Sequence, residues 1–195
     1  MDTDKFERLA IYSGMPFITE GTHRLFTFAP GEGTQKAYDV CLSFLGNGTC
    51  FLTLAGEPGR GKTHLALGIG WHWLDNDMGV VKYWHIADLL GAMRREFDHP
   101  PVSENGTPLK SIYQHCQEVG LLILDDLGVE KSTEWAIEQL DMLVDYRYIN
   151  GKKTVFTTNL GPTQLPARIK SRLKEGLAAT LDGIDYREVK ARVRS

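Results

Sequence analysis

Five short apolar runs punctuate this chain, at residues 50–55, 80–84, 121–124, 154–158 and 178–181. They are rich in Leu, Ile, Val, Phe and Thr and show little apolar/polar alternation, as expected of strands buried on both faces. Between them the apolar positions change to a spacing of three and four. Ala37, Val40, Cys41 and Phe44 share one helical face, as do Leu65, Ala66, Ile69 and Trp73, then Leu89, Leu90 and Met93. Ile137, Leu140, Leu143 and Val144 repeat the pattern in a helix that Ser132 is placed to cap, and a shorter helix is expected over 163–174. Residues 4–12, with Phe6, Leu9, Ala10 and Ile11, predict a short amphipathic helix or arm. Strands alternating with helices predict an α/β fold, a five-stranded parallel sheet with helices on both faces. Residues 98–107, with a Pro-Pro step, read as an exposed polar loop. The expected division is an arm over 1–30 and one domain over 31–195.

The first predicted strand runs into Gly56-Glu57-Pro58-Gly59-Arg60-Gly61-Lys62-Thr63, followed by His64 and the first predicted turn of a helix. This matches the phosphate-loop pattern G-x-x-x-x-G-K-[ST] in its strand–loop–helix setting. Glycines let backbone wrap closely around phosphate oxygens, and free N–H groups at the helix start point at the anion. Lys62 would reach the β- and γ-phosphates, and the Thr63 hydroxyl would hold Mg²⁺. About sixty positions later Asp125-Asp126 ends an apolar strand. With a phosphate loop in the same chain, Asp125 is assigned to the magnesium shell and Asp126 to the attacking water. Asn159 ends the next strand, where a polar tip could bond the γ-phosphate or that water. Arg168 and Arg172, four apart, share a helical face.

Composition narrows the setting. With 195 residues, 42% hydrophobic and 24% charged, the chain is long enough for one α/β domain. No apolar run reaches membrane-spanning length, and the N-terminus is unlike a signal peptide. Cys41, Cys50 and Cys116 are widely spaced without a C-x-x-C pair, which argues against a cysteine zinc site and for a reducing cytoplasm. The net charge of −3 excludes a uniformly basic nucleic-acid binder, although from Arg168 onward eight Lys/Arg face four Asp/Glu.

Gly59-Arg60-Gly61-Lys62-Thr63-His64-Leu65-Ala66, Leu122-Ile123-Leu124-Asp125-Asp126-Leu127-Gly128, Thr157-Thr158-Asn159-Leu160 and Arg168-Ile169-Lys170-Ser171-Arg172-Leu173 occur in that order. From about residue 25 to the C-terminus the chain resembles the AAA+ ATPase core of the DnaC/DnaI helicase loaders and the related IstB transposition helpers. That resemblance implies ATP and Mg²⁺ as ligands, Asn159 as sensor 1, and Arg172 as a finger completing a neighbouring subunit's site. It also implies an ATP-dependent homo-oligomer that acts with single-stranded DNA and a replicative helicase, or with another replication or transposition protein. About 55 residues precede the phosphate loop and 23 follow Arg172, so neither a separate helicase-binding domain nor a full C-terminal lid is expected. Arg187 is the candidate sensor 2. Phe26 and Phe28 are candidate adenine neighbours, and Arg94-Arg95 with Phe97, or Lys152-Lys153, are candidate DNA contacts. Two other classes fit the phosphate loop: a small-molecule or nucleotide kinase, and a non-catalytic switch that binds ATP and docks a partner.

Overall fold

In the computed structural model, which describes residues 3–16, 23–128, 133–161, 164–183 and 185–186, the apolar runs become one parallel sheet. Its strands are β1 (Phe51–Ala55), β2 (Val81–His85), β3 (Leu121–Asp125), β4 (Lys153–Thr158) and β5 (Leu177–Thr180). They lie in the order β2-β3-β4-β1-β5, and every pairing is parallel. Parallel neighbours need crossovers, and helices supply them. α1 (Thr3–Ser13), α2 (Gln35–Gly46) and α3 (Lys62–Asp75) cover one face. α4 (Ile86–Asp98), α5 (Ile112–Glu118), α6 (Glu134–Ile149) and α7 (Ala167–Lys174) cover the other. The two-residue period of a strand divides the core between them: Leu121 and Ile123 join the first layer, Leu122 and Leu124 the second. This is the α/β architecture that the apolar runs predict.

Several boundaries differ from expectation, for local reasons. β2 extends through His85, because in-register pairing with β3 continues to His85–Asp125. α6 is capped by Thr133, whose hydroxyl accepts from the Ala136 N–H; Ser132 lies outside the described residues. α7 starts after Pro166, and Thr163 lies outside the described residues. Ile11 is 78% exposed, so the inward side of α1 is carried by Ala10 with Phe6 and Leu9. Ile137 is only half-buried, and the inward face of α6 runs through Ala136, Leu140, Leu143, Val144 and Arg147. α5 has no counterpart in the apolar pattern. Its signal is a capping box, in which Ser111 accepts from Gln114 N–H and Gln114 accepts from Ser111 N–H.

Arg147 is fully buried and ties the second layer together. It donates to Thr154 Oγ1 at 2.8 Å, to the Cys116, Gln117 and Val119 carbonyls at 2.7–3.2 Å, and to the Lys153 carbonyl at 2.6 Å. The end of a helix leaves carbonyls without intrahelical partners, and this guanidinium satisfies those at the end of α5. Burial lowers its pKa to about 10, so it remains charged at neutral pH. Lys153 caps α2 in a similar way, donating to the Phe44 and Asn47 carbonyls at 2.6 and 2.8 Å. Its ammonium is therefore turned inward, which corrects its assignment as a DNA contact.

Burial pushes the Cys41 and Cys116 thiols up to about 12, while Cys50 is only half-buried. Only thiolates alkylate readily. Native protein is therefore expected to take up iodoacetamide at Cys50 alone, and denatured protein at all three cysteines, as read by mass spectrometry.

Candidate functional site

β1 delivers the chain at the carboxyl edge of the sheet, where it turns back into α3 through residues 56–61. Glycines make that turn possible, as its two ends show. Gly56 has φ +145, and a Cβ there would lie 2.4 Å from the Leu181 carbonyl oxygen. Gly61 has φ +95, and its Cβ would lie 2.7 Å from Phe28 Cε2. L-residues avoid both backbones, and there is no room for a side chain at either. Lys62 opens α3 and is 7% exposed; its ammonium donates to the Gly56 and Glu57 carbonyls, each at 2.7 Å. The concave loop, its lysine and the α3 amides together form a concentration of positive potential.

Asp125 faces this loop from the end of β3 and is 5% exposed. Three hydroxyls donate to its carboxylate from three different elements. Thr63 of α3 does so at 3.0 Å, Tyr83 of β2 at 2.8 Å and Thr157 of β4 at 2.6 Å. The next residue, Asp126, has φ +60, a left-handed backbone uncommon outside glycine. Its carboxylate turns outward, taking a hydrogen bond from Asn159 Nδ2 at 2.9 Å, with His85 Nε2 3.4 Å from the other oxygen. Adjacent acids thus occupy unlike environments, one enclosed by hydroxyls and one open to the cavity.

A cavity of about 770 Å³ connects these groups. Of the residues expected from the sequence, Pro58, Gly59, Gly61, Lys62, Thr63, His64, Asp125, Asp126 and Asn159 line it. Gly56 and Glu57 contribute the carbonyls that hold Lys62. The Arg60 side chain turns away, to Glu57 at 2.9 Å and to the Gly183 carbonyl. Phe28 lines the cavity, edge-on to His64 at 5.2 Å, whereas Phe26 is 81% exposed and does not, which corrects its place beside a base. The cause is the 3₁₀ turn Leu25–Thr27: its three-residue period puts Leu25 and Phe28 on one side and Phe26 on the other. Arg94, Arg95 and Phe97 are exposed near the end of α4, away from the cavity lining. Arg187 lies outside the described residues.

Tyr83, His85, Thr157 and Tyr186 were not among the site residues expected. His85 sits at the carboxyl end of its strand, where α/β sheets collect functional side chains, and the predicted strand stopped one residue short of it. Tyr186 bonds the Ala29 carbonyl through its hydroxyl at 3.0 Å and the Gly59 carbonyl through its N–H at 3.1 Å, closing the wall beside Phe28.

Arg172 is not in the cavity. It lies on α7 against α6, pairing with Asp145 at 2.7 Å and stacking 4.5 Å from the Tyr148 ring centre. Arg168 pairs with Asp141 at 3.1 Å, and Tyr148 donates to Glu175. All three contacts join residues 27 apart, so α6 and α7 run side by side in the same direction, linked by three rungs.

Among the described residues no helix is long and apolar enough to cross a membrane. The family model of the IstB-like ATP binding protein matches residues 5–173. The uncharacterized protein YdaV of Escherichia coli (strain K12) is 31% identical over 162 residues, which are 77% of this chain and 62% of that protein. The replicative helicase loader DnaC of the same strain is 26% identical over 141 residues, 72% of this chain and 55% of that protein. The chain therefore spans less than two thirds of the length of either relative. A crystal structure of the DnaC helicase loader superposes with a TM-score of 0.71 at 23% identity, over 83% of this chain and 97% of that one. The sheet order, the glycine loop and these likenesses agree on a P-loop fold of AAA+ type. The chain belongs to the IstB-like ATP-binding protein family.

Proposed function

We propose that the chain hydrolyses ATP with Mg²⁺ as a helicase-loader-like ATPase, working with single-stranded DNA and a replicative helicase. The observation that carries the ATPase reading is that a phosphate loop, a hydroxyl-clamped Asp125 and an outward Asp126 share one cavity. The residues fit the ligands. Gly56 and Gly61 leave a cradle that a Cβ would fill, and Lys62 brings a cation to its floor. Among the described residues no group of three or more His, Cys, Asp or Glu could hold a metal. Thr63 and Asp125 offer two oxygens, which suits an ion that takes its other ligands from phosphates and water, as Mg²⁺ does. Held by Thr63 and Asp125, Mg²⁺ would neutralise phosphate charge during transfer.

The chain's own groups divide the remaining work. The amides of residues 59–63 and Lys62 bind the phosphates, while Thr63 and Asp125 supply the metal's protein oxygens. Asp126 orients the attacking water and accepts its proton, and Asn159 fixes that carboxylate. Phe28 and Tyr186 form the wall for the base. Arg172 completes the site of an adjoining copy, so a homo-oligomer assembled on ATP is the active form. Similarity to DnaC supports the loader role. The family match equally supports a transposition helper, and the protein partner separates the two: a replicative helicase in one case, a transposase in the other.

The test is ATP affinity and phosphate release, with and without single-stranded DNA. Lys62→Ala is expected to weaken ATP binding roughly tenfold or more and to bring turnover to background, since a charge-assisted phosphate contact is lost. Unchanged affinity and turnover would show the phosphate assignment to be wrong. Wild-type turnover indifferent to single-stranded DNA would remove the loader reading.

A further inference from the structure

Thr157 bonds both members of the acidic pair. It is 1% exposed, at the carboxyl end of β4. Its hydroxyl accepts from the Asp126 N–H at 2.8 Å and donates to Asp125 Oδ1 at 2.6 Å. Its carbonyl accepts from the Leu127 N–H at 2.7 Å. Three consecutive residues thus depend on one threonine. The hydrogen-bond directions are unambiguous: an amide can only donate, so the hydroxyl must accept there and has its single proton left for Asp125. Regular β3–β4 pairing ends at Leu124–Phe156. From that point the Thr157 side chain takes the place of a strand partner and brackets Asp126, with its φ of +60, between two bonds. A non-glycine residue persists in that conformation only where its surroundings hold it there.

We propose that Thr157 is the positioning residue of this site, whose hydroxyl turns Asp125 toward Thr63 and the metal position while rotating Asp126 outward to Asn159 and the water. One hydroxyl thereby assigns neighbouring, chemically identical acids to different tasks. This rests on the ATPase reading above. Thr157→Val keeps the side chain's shape and removes the hydroxyl, leaving the Asp126 N–H without its acceptor and Asp125 without one donor.

The test compares wild type, Thr157→Val and Thr157→Ser, with Thr157→Ala replacing the valine variant should that one not fold. Amide exchange at Asp126 in the protein alone is expected to quicken about tenfold or more in the valine variant and to stay near wild type in the serine variant. With a fluorescent ATP analogue, the Mg²⁺ concentration at half-maximal signal should rise several-fold, and kcat should fall roughly 10- to 100-fold. Affinity for the nucleotide without Mg²⁺ should stay within about twofold, and serine should restore all three properties. A merely structural role would lower the unfolding temperature without moving the Mg²⁺ midpoint. Unchanged kcat and Mg²⁺ midpoint in the valine variant, or a serine variant as impaired as valine, overturns the proposal while leaving the ATPase reading intact. A wild-type chain that neither binds nor hydrolyses ATP overturns both.

Discussion

Equal mixtures of Arg172→Ala and Asp126→Asn chains are expected to hydrolyse ATP although neither variant does so alone. Asp126 lines the cavity of its own chain, and Arg172 does not. A site built from both residues therefore has to draw them from two molecules. On the roles proposed for them, removing the Asp126 carboxylate or the Arg172 guanidinium should each lower turnover by about 10³ or more. In a random mixture, half of the sites carry an intact Asp126, and half of those meet a neighbour with an intact Arg172. Activity should then return to roughly a quarter of wild type. Phosphate release measured across mixing ratios, at a concentration where the ATP-bound chain assembles, gives the answer. A flat response would reduce Arg172 to its ion pair with Asp145, a solvent-screened contact.

The largest effect on stability is expected at Arg147. Arg147→Met keeps much of the side chain's bulk and withdraws every donor. The Cys116, Gln117, Val119 and Lys153 carbonyls then lose their partner inside the second layer. Uncompensated buried polar groups cost about 1–3 kcal/mol each, and for a cluster that can partly relax together a total of about 3–5 kcal/mol is expected. In a chain of this length that lowers the midpoint of thermal unfolding by roughly 10 °C. Arg147→Lys should recover part of the loss, because an ammonium still reaches some of these acceptors but cannot span them as a planar fork does. Urea melts at a single protein concentration provide the free energies. A change below about 1 kcal/mol would mean that water replaces the guanidinium.

Much of this molecule can be read from one strand of text, and the exceptions share a cause. The parallel sheet is legible because Leu121-Leu122-Ile123-Leu124 is buried on both faces and shows no alternation. The phosphate loop and Asp125-Asp126 are legible because loop and strand-end chemistry is local. Thr157 is not, since a threonine in Thr154-Val155-Phe156-Thr157-Thr158 reads as ordinary β-branched filling. Its role appears only when β4 lies beside β3, and neighbour identity in a parallel sheet is carried by crossovers rather than by the strands. Tyr83 depends in the same way on β2 lying at the other side of β3. Arg147 could have been suspected, because 140, 143, 144 and 147 form a single helical stripe and a charge on a buried stripe needs a reason. α5, with 7 residues, is too short for periodicity to register, and only its capping box identifies it.

The three rungs joining α6 to α7 have a mechanical consequence. Because Asp141–Arg168, Asp145–Arg172 and Tyr148–Glu175 share one spacing, a slip of a single residue would mismatch them all together. α7, with 8 residues, is too short to hold itself as an independent helix, so it travels with α6 as one bar. That bar is about 24 Å long at 1.5 Å per residue, and its near end follows the segment that leaves Asp126. Its far end carries Arg172. A displacement of α6 along its axis would therefore be carried to Arg172 through the same three contacts.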